Sequence, residues 1–286
     1  MAEEIAFPRG RATIVGILNV TPDSFSDGGR VWSSEGRVDL ERAVAAGLSL
    51  VRDGAHVIDV GGESTRPGAP AVSEDEEIDR TVPVVEALAK ATAAPISIDT
   101  RKSSVARAAL EAGARIVNDV SGLRHDPHLA KVAARASATL VLGHLRGEPA
   151  TMQARVVFED CLREVSDELA ESVEIARRAG VLRERLVVDP GIGFGKRLRH
   201  NLALLANLGV LRERLDLPLL VGPSRKAFLG ELTGEPVAER DRATEAVCAI
   251  AVFAGADGVR VHDVAGARRA LAIGLSLREA RRGGAV

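Results

Sequence analysis

The repeating unit that decides the fold is visible in residues 38–61, VDLERAVAAGLSLVRDGAHVIDVG. Residues Val38 to Asp53 carry Arg, Glu, Ala and Leu at helical spacing, which predicts an amphipathic helix. Residues His56 to Gly61 form a short and mostly apolar run that predicts a strand. Because this run is continuous rather than alternating, it is typical of a strand buried on both faces of a parallel sheet.

Segments of these two kinds alternate along the chain. Helical spacing recurs at residues 74–91, 156–179 and 198–211. The predicted strands are Ala12 to Val20, His56 to Gly61, Pro95 to Thr100, Arg115 to Val120, Thr139 to His144, Leu186 to Asp189, Leu217 to Gly222 and Gly258 to His262. Eight βα units in 286 residues favour a closed (β/α)₈ TIM barrel, an α/β fold, over an open doubly wound sheet.

No Gly-, Ser- or Pro-rich linker divides the chain, so we expect a single domain over residues 1–286, with its core at about residues 12–275. The longest irregular stretches follow strands one and two, at Thr21 to Gly36 and Gly62 to Ser73. Their Gly, Pro and Ser content predicts mobile loops. In TIM barrels such loops build the active site at the carboxyl ends of the strands.

Composition narrows the classes of function. The chain has a formal net charge of −2, so no bulk positive field favours nucleic acid or anionic lipid as a partner. No apolar run approaches the roughly 18 residues of a spanning helix, and the first residues do not resemble a signal peptide. Cys161 and Cys248 lack metal-ligand spacing. We therefore expect a cytoplasmic protein that binds neither nucleic acid nor membrane.

Lysine is scarce in this sequence, which makes each lysine worth locating. The chain has 33 Arg but only five Lys, at positions 90, 102, 131, 196 and 226. Aromatic residues are also few, at six Phe, one Trp and no Tyr, so aliphatic side chains must fill the core.

Almost every predicted strand ends in a polar residue. These residues are Asn19, Asp59, Asp99, Asn118, Asp119, His144, Asp189, the Ser224-Arg225-Lys226 segment, Arg260 and His262. Any one alone is more often a helix cap or a turn former. Asp59, Asn118 and Arg260, however, are embedded in apolar runs, where an unpaired polar group costs several kcal/mol. We therefore expect the set to converge on one pocket.

The charges in this set suggest what the pocket binds. Asp59, Asp99 and Asp189 could bind a metal or accept hydrogen bonds from the N–H groups of a heterocycle. Cationic side chains that could hold a diphosphate are Arg66, Arg225, Lys226, Arg260 and His262. Acids deep in the barrel and cations nearer the rim would suit a substrate with a polar ring and an anionic leaving group.

Residues 189–196, DPGIGFGK, form a glycine-rich segment. It departs from a Walker A phosphate loop at Pro190 and Arg197, and from a dinucleotide-binding fingerprint at Lys196. We expect its glycines to permit a tight turn and a close approach of backbone to a flat ligand.

Two long motifs resemble those of the dihydropteroate synthases, which are pterin-binding TIM barrels. They are residues 16–29, GILNVTPDSFSDGG, and residues 59–68, DVGGESTRPG. Shorter matches follow in family order at residues 97–100, 117–120, 189–196, 224–226 and 260–263. The resemblance implies condensation of 6-hydroxymethyl-7,8-dihydropterin diphosphate with p-aminobenzoate, giving 7,8-dihydropteroate and diphosphate for folate biosynthesis.

The resemblance also implies a role for each matching residue. The pterin-binding residues would be Asp99, Asn118, Asp189 and Lys226. The diphosphate site would comprise Asn19, Arg260 and His262, with Asn19 as a ligand of the cofactor Mg²⁺. The p-aminobenzoate pocket would comprise Phe25, Thr65, Arg66, Pro67 and Phe194. The catalytic residues would be Asp27, Asp99 and Lys226.

The implied reaction is SN1-like. Magnesium and the cations would stabilise the departing diphosphate, so that the carbon–oxygen bond breaks before the amine attacks. Asp27 or Asp99 would add a favourable negative charge beside the resulting cation. The family further implies a homodimer through late helices, and sulfonamides as possible inhibitors.

Three positions depart from the family pattern. Gly143 stands where Met is frequent, Ala227 where Ser is frequent, and Pro223 where a small residue or Met is commoner. The alternatives to a synthase are a pterin-dependent methyltransferase with the same fold, or a catalytically silent paralogue that only binds pterin. The methyltransferases lack the paired motifs after strands one and two, and the intact polar set disfavours a silent paralogue.

Overall fold

The computed structural model describes residues 7–8, 11–22, 38–66, 68–154 and 156–283. Within these ranges eight strands form one parallel sheet. They are β1 (Thr13–Asn19), β2 (Val57–Gly61), β3 (Ile96–Asp99), β4 (Ile116–Asp119), β5 (Thr139–Gly143), β6 (Leu186–Asp189), β7 (Leu220–Val221) and β8 (Gly258–Val261).

The strands are ordered β6-β5-β4-β3-β2-β1-β8-β7, so neighbours in the sheet are neighbours in the chain, with β1 beside β8. A parallel bridge between Val188 and Leu219 joins β6 to the segment before β7. The sheet thereby closes into a barrel, which confirms the predicted TIM barrel.

The described helices cover the outside of this barrel. They are α1 (Leu40–Asp53), α2 (Glu74–Ala91), α3 (Ser103–Glu111), α4 (His128–Arg135), α5 (Cys161–Arg178), α6 (Leu198–Ala206), α7 (Leu208–Leu215), α8 (Ala227–Thr233), α9 (Asp241–Ala254) and α10 (Val264–Arg281), with 3₁₀ turns at Arg183–Arg185 and Val237–Glu239. None of them is long and apolar enough to cross a membrane.

Local sequence sets several helix ends. The carboxylates of Asp39, Asp160 and Asp263 and the hydroxyl of Ser73 each accept a backbone N–H in the first turn of the helix that follows. For this reason α5 begins at Cys161, five residues after the start predicted from helical spacing. Gly54, with φ of 110°, ends α1 in the left-handed conformation that glycine favours.

Two elements are shorter than predicted. Strand β7 has two residues rather than six, because the N–H of Leu219 donates to the side chain of Asp257 (3.2 Å) instead of to a neighbouring strand. The helix predicted over residues 198–211 is divided into α6 and α7 at Asn207. The backbone of Asn207 leaves the helical region (φ −120°, ψ 26°), and its side-chain amide donates to the carbonyl of Ala203 (2.8 Å).

A layer of apolar side chains fills the interior of the barrel. It comprises Phe7, Val15, Val57, Ile116, Val141, Val187 and Leu220, all buried in one cluster. Successive residues of a strand face opposite sides of the sheet, so a residue two positions further on faces the same way. The residues two positions after this layer therefore face the interior at the carboxyl ends of the strands.

Candidate active site

A cavity of about 1430 Å³ opens at the carboxyl ends of the strands. Ten of the residues predicted for the site lie in the described ranges, and all of them line this cavity. They are Asn19, Thr65, Arg66, Asp99, Asn118, Asp189, Phe194, Lys226, Arg260 and His262. The other three, Phe25, Asp27 and Pro67, lie outside the described residues.

Strand alternation explains which polar residues face the cavity. Asn118 and Asp189 come two residues after Ile116 and Val187 of the interior layer, and both line the cavity. Asp119 has the opposite parity. Its carboxylate accepts hydrogen bonds from Ser121 and from the N–H of Leu123, in the turn that follows β4.

The expectation that all the polar strand ends converge on one pocket is therefore wrong at three positions. Asp59 is fully buried, is bound by Arg260 and Asn118, and does not line the cavity. Asp119 supports a turn, and His144, one residue after the cavity-lining Gly143, contacts Glu168 of α5 (3.1 Å). The parity of each strand, counted from the apolar interior layer, was the sequence signal that could have separated Asp119 and His144 from the rest.

The deepest charges form one network across three strands. Arg260 donates through Nε to Asp59 Oδ2 and through Nη2 to Asp99 Oδ2, both at 2.6 Å. Asn118 Nδ2 donates to the same Asp59 oxygen (3.1 Å), which leaves the amide oxygen of Asn118 for a ligand N–H. Burial raises the pKa of Asp99, although the Arg260 guanidinium opposes that shift. Arg260 was expected nearer the rim, but it lies among the acids.

Asp189 and Lys226 lie in this part of the cavity, where their opposite charges interact. Asp189 Oδ1 accepts the N–H of Gly191 (2.7 Å), and burial raises the pKa of this carboxyl. Burial, reinforced by the charge of Arg260, lowers the pKa of Lys226 to about 8, against the opposing carboxylates of Asp189 and Asp99. The Lys226 ammonium lies 3.6 Å from the centre of the Phe194 ring, a cation–π distance.

Asn19, His262 and Ser224 form a polar chain on the β1 and β8 side. Asn19 Nδ2 lies 3.4 Å from His262 Nε2, and Ser224 Oγ lies 2.9 Å from His262 Nδ1. Burial and the nearby Arg225 and Arg260 lower the pKa of His262 to about 3, so its imidazole is neutral. A neutral imidazole can donate from one ring nitrogen and accept at the other.

Arg225 lines the cavity, but its guanidinium is already bound by another side chain of the protein. Its guanidinium pairs with both carboxylate oxygens of Asp241, from Nε (2.7 Å) and Nη2 (2.8 Å). No sequence pattern indicated this partner, because Asp241 begins α9, sixteen residues further along the chain. Arg225 is therefore not available to bind substrate, and the predicted group of substrate-binding cations loses this member.

The segment after β2 is anchored where it leaves and rejoins the barrel. Glu63 Oε1 accepts the N–H of Val72 (3.0 Å), and Lys102 Nζ donates to the Val72 carbonyl (2.7 Å). Lys102 also contacts Glu63 (3.3 Å) and the buried Glu77 (2.6 Å). This clamp, which sequence reasoning missed, holds the ends of the loop that carries Thr65 and Arg66. The mobility of the loop stays a prediction.

Gly143 has no room for a side chain. It lines the cavity, but a Cβ atom there would lie 2.6 Å from the Cα of Val120. The larger residue frequent at this position in the family would therefore require β4 and β5 to move apart.

Comparison with known proteins agrees with this geometry. Residues 15–262 match the family described as pterin binding enzyme. The dihydropteroate synthase of Synechocystis sp. is 48% identical over 255 residues, covering 89% of this chain and 86% of the relative. The crystal structure of Yersinia pestis dihydropteroate synthase with a sulfonamide drug superposes with a TM-score of 0.90 at 40% identity, covering 99% of both chains.

A second solved structure holds a bound ligand. Dihydropteroate synthase from Xanthomonas albilineans in complex with 7,8-dihydropteroate has a TM-score of 0.81 at 40% identity, with 94% of each chain covered. Identity at this level over nearly the whole length shows the family. The chain belongs to the pterin-binding enzymes, and within them to the dihydropteroate synthases.

Proposed function

We propose that this chain condenses 6-hydroxymethyl-7,8-dihydropterin diphosphate with p-aminobenzoate, releasing 7,8-dihydropteroate and diphosphate. The observation that carries the proposal is the meeting of Asp99, Asn118, Asp189 and Lys226 in one buried cavity, with Asn19 and His262 beside them. The bound 7,8-dihydropteroate of the Xanthomonas albilineans relative contains both halves that this reaction joins.

The pterin ring would lie against the acids at the carboxyl ends of β3, β4 and β6. Asp189 Oδ2 and the amide oxygen of Asn118 would accept from the ring N–H and the exocyclic amine, while Lys226 would donate to the ring oxygen. Polar groups buried in this way exclude flat apolar rings, because such a ring would leave them without partners.

The diphosphate would lie near Asn19, His262 and Arg260. The neutral His262 can present an N–H to a phosphate oxygen, and Arg260 adds positive charge from the acid network. We infer that the carbon–oxygen bond breaks before the amine attacks, and that the carboxylate of Asp99 or Asp27 stabilises the cation. The p-aminobenzoate amine is neutral and needs no strong base. It would enter beside Phe194, Thr65 and Arg66.

The residues present fit Mg²⁺ as a cofactor that arrives with the substrate. In the described part of the chain no three His, Cys, Asp or Glu side chains are grouped to hold a metal. Asn19 offers its amide oxygen, and Mg²⁺ commonly takes its other ligands from phosphate and water. Bound there, Mg²⁺ would neutralise charge on the leaving group. Asn19→Ala should abolish the Mg²⁺ dependence of dihydropterin diphosphate binding in calorimetry.

We also infer a homodimer through α9 and α10. Ile250, Ile273 and Leu277 are 56%, 60% and 54% exposed. They lie beside the close contact of Gly274 with Ala249 that packs the two helices together. An exposed apolar patch of this kind marks an interaction site. Ile273→Asp should shift the mass measured by light scattering from dimer to monomer. A cytoplasmic location and inhibition by sulfonamides, which would compete with p-aminobenzoate, remain predictions.

The direct test is p-aminobenzoate-dependent release of diphosphate by the purified chain with Mg²⁺. We expect release to require both substrates. No release would favour a silent pterin-binding protein, and methyl transfer from a methylated folate to a cobalamin acceptor would favour the methyltransferase.

A further inference from the structure

Lys196 is a buried lysine that the reaction described above does not use. Its residue is 3% exposed, and its ammonium donates to three neutral acceptors. These are His144 Nδ1 (2.9 Å), the carbonyl of Phe194 (3.0 Å) and the carbonyl of His144 (3.3 Å). An ammonium has three N–H donors, so all of its hydrogen-bonding capacity is used within the protein.

His144 is held in the form that accepts from Lys196. Its Nε2 lies 3.1 Å from Glu168 Oε2, and this carboxylate also binds Arg146 and Arg124. Burial and the charge of Lys196 lower the pKa of His144 to about 4, so the ring is neutral. Because the carboxylate can only accept, the ring proton resides on Nε2, and Nδ1 offers its lone pair to Lys196.

The carbonyl that Lys196 binds belongs to Phe194, in the wall of the cavity. Residues 191–196 wrap closely around the end of β5, where a Cβ atom on Gly191 would collide with the carbonyl oxygen of His144. Gly191, Gly193 and Gly195 all have positive φ, at 67°, 84° and 58°. A glycine-rich segment has many accessible conformations, so side-chain contacts must select one.

Those contacts are few and specific. Gly193 donates its N–H to Asn201 Oδ1 (2.7 Å) and accepts from Gln153 Nε2 (3.0 Å). Among the described residues, Lys196 is the side chain that hydrogen-bonds the backbone of Phe194. The Phe194 ring in turn lies against the Lys226 ammonium inside the cavity.

We propose that Lys196 is a positioning residue for p-aminobenzoate binding. It holds Phe194 in place through the hydrogen-bonded chain Glu168–His144–Lys196. The proposal rests on the function proposed above, because it assigns Phe194 to the side of the cavity that receives p-aminobenzoate. The charge of Lys196 acts on Asp189, but less than the charge of Lys226 does. The pterin-binding side chains Asp99, Asn118 and Asp189 lie on or at the ends of strands, and none of them hydrogen-bonds Lys196. Loss of Lys196 therefore affects the second substrate and spares the first.

The test is the variant Lys196→Met, which keeps most of the length of the side chain and removes its ammonium donors. We expect the KM for p-aminobenzoate to rise roughly tenfold, since small displacements of a positioning element cost one to two orders of magnitude. The dissociation constant of dihydropterin diphosphate should change less than about twofold. The exposed Lys131→Met on α4 is the matched control and should leave both values unchanged. An unchanged KM, or an equal loss for both substrates, would overturn the proposal.

Two substitutions of His144 test the chain even if Lys196→Met does not fold. Asparagine places an amide oxygen near the position of Nδ1, whereas glutamine places its amide near that of Nε2. We expect His144→Asn to keep a KM for p-aminobenzoate close to that of the wild type, and His144→Gln to show the rise. The reverse order, or equal values, would contradict the role given to Lys196.

Amide hydrogen exchange gives a readout that is independent of turnover. Faster exchange confined to residues 192–197 of the Lys196→Met or His144→Gln variant supports the proposal, and unchanged exchange there contradicts it. Failure of the proposed function would show differently, as a wild-type chain that releases no diphosphate with p-aminobenzoate.

Discussion

Lys196 is a buried lysine and Lys226 is a half-buried one on the wall of the same cavity, and each is linked to the Phe194 region. Lys196 donates to His144 and to the backbone of Phe194, and all three of its donors are used. Lys226 Nζ makes no hydrogen bond to the described protein and lies over the Phe194 ring. Burial lowers the pKa of both, to about 7 for Lys196 and about 8 for Lys226.

The difference between the two lysines separates binding from positioning. The half-buried Lys226 faces the cavity and has no hydrogen-bond partner for its ammonium among the described residues, so it is available to substrate. A buried donor whose partners are all protein groups fixes those groups instead. In a chain with five Lys and 33 Arg, both positions use the compact ammonium, which fits a small cage or a single acceptor better than a planar guanidinium does.

The largest expected effect comes from the carboxylate that faces Lys226. Asp189→Asn keeps one acceptor oxygen but replaces the other with an NH₂ group, which would then face the N–H of Gly191 or a donor of the pterin. Pterin binding and turnover should therefore fall by roughly 100-fold or more. The exposed Asp167→Asn on α5 is a matched control. Calorimetry with dihydropterin diphosphate checks the result, and wild-type affinity in Asp189→Asn would remove Asp189 from the pterin site.

Arginine should have different effects at the two lysine positions. Lys196→Arg forces a larger head group into a filled cage and should destabilise the fold by about 1–3 kcal/mol. Lys226→Arg has the cavity in front of it, so we expect near wild-type stability but weaker pterin binding. Thermal unfolding and calorimetry of both variants measure this. Equal loss of stability in Lys196→Arg and Lys226→Arg would show that the cavity in front of Lys226 does not reduce the cost of the larger head group.

The stability of the fold at low pH should depend on His144, which contacts Lys196. The pKa of His144 is about 4 in the folded chain, below its ordinary 6.5, in a setting where Lys196, Glu168 and Arg124 face the ring. Between these values the unfolded chain holds the extra proton, so the free energy of unfolding falls as pH falls.

The slope contributed by His144 is about 1.4 kcal/mol per pH unit within that window. Denaturant unfolding from pH 7 to pH 5 should therefore show a shallower pH dependence in His144→Asn than in wild type. The exposed His128→Asn serves as the control. Parallel curves for wild type and His144→Asn would mean that folding does not lower the pKa of His144.

Much of the fold was predictable from sequence, because buried parallel strands leave continuous apolar runs at regular intervals. The polar strand ends were also visible, and Asp99, Asn118 and Asp189 do line the cavity. The polar residue types alone did not give the direction of each side chain, because that direction follows from the parity of the strand counted from the apolar interior layer. His144 follows the cavity-lining Gly143 by one residue, and that single step turns it toward α5.

The partners of the cations were hidden for a different reason. Arg225 pairs with Asp241, and Lys102 joins Glu63 to Glu77, through contacts between loops whose course depends on the assembled barrel. Nor could the DPGIGFGK motif show that Lys196 turns back onto its own loop. Its glycines predicted a tight turn, and their positive φ values confirm one.

The division of roles to be tested is that Lys226 binds pterin while Lys196 only positions Phe194. The measurement that tests it is a calorimetric titration of dihydropterin diphosphate into wild type, Lys226→Met and Lys196→Met at pH 6, below the pKa of both lysines. We predict at least a roughly tenfold loss of affinity in Lys226→Met and less than about a twofold change in Lys196→Met. Equal losses in the two variants, or wild-type affinity in Lys226→Met, would contradict the account.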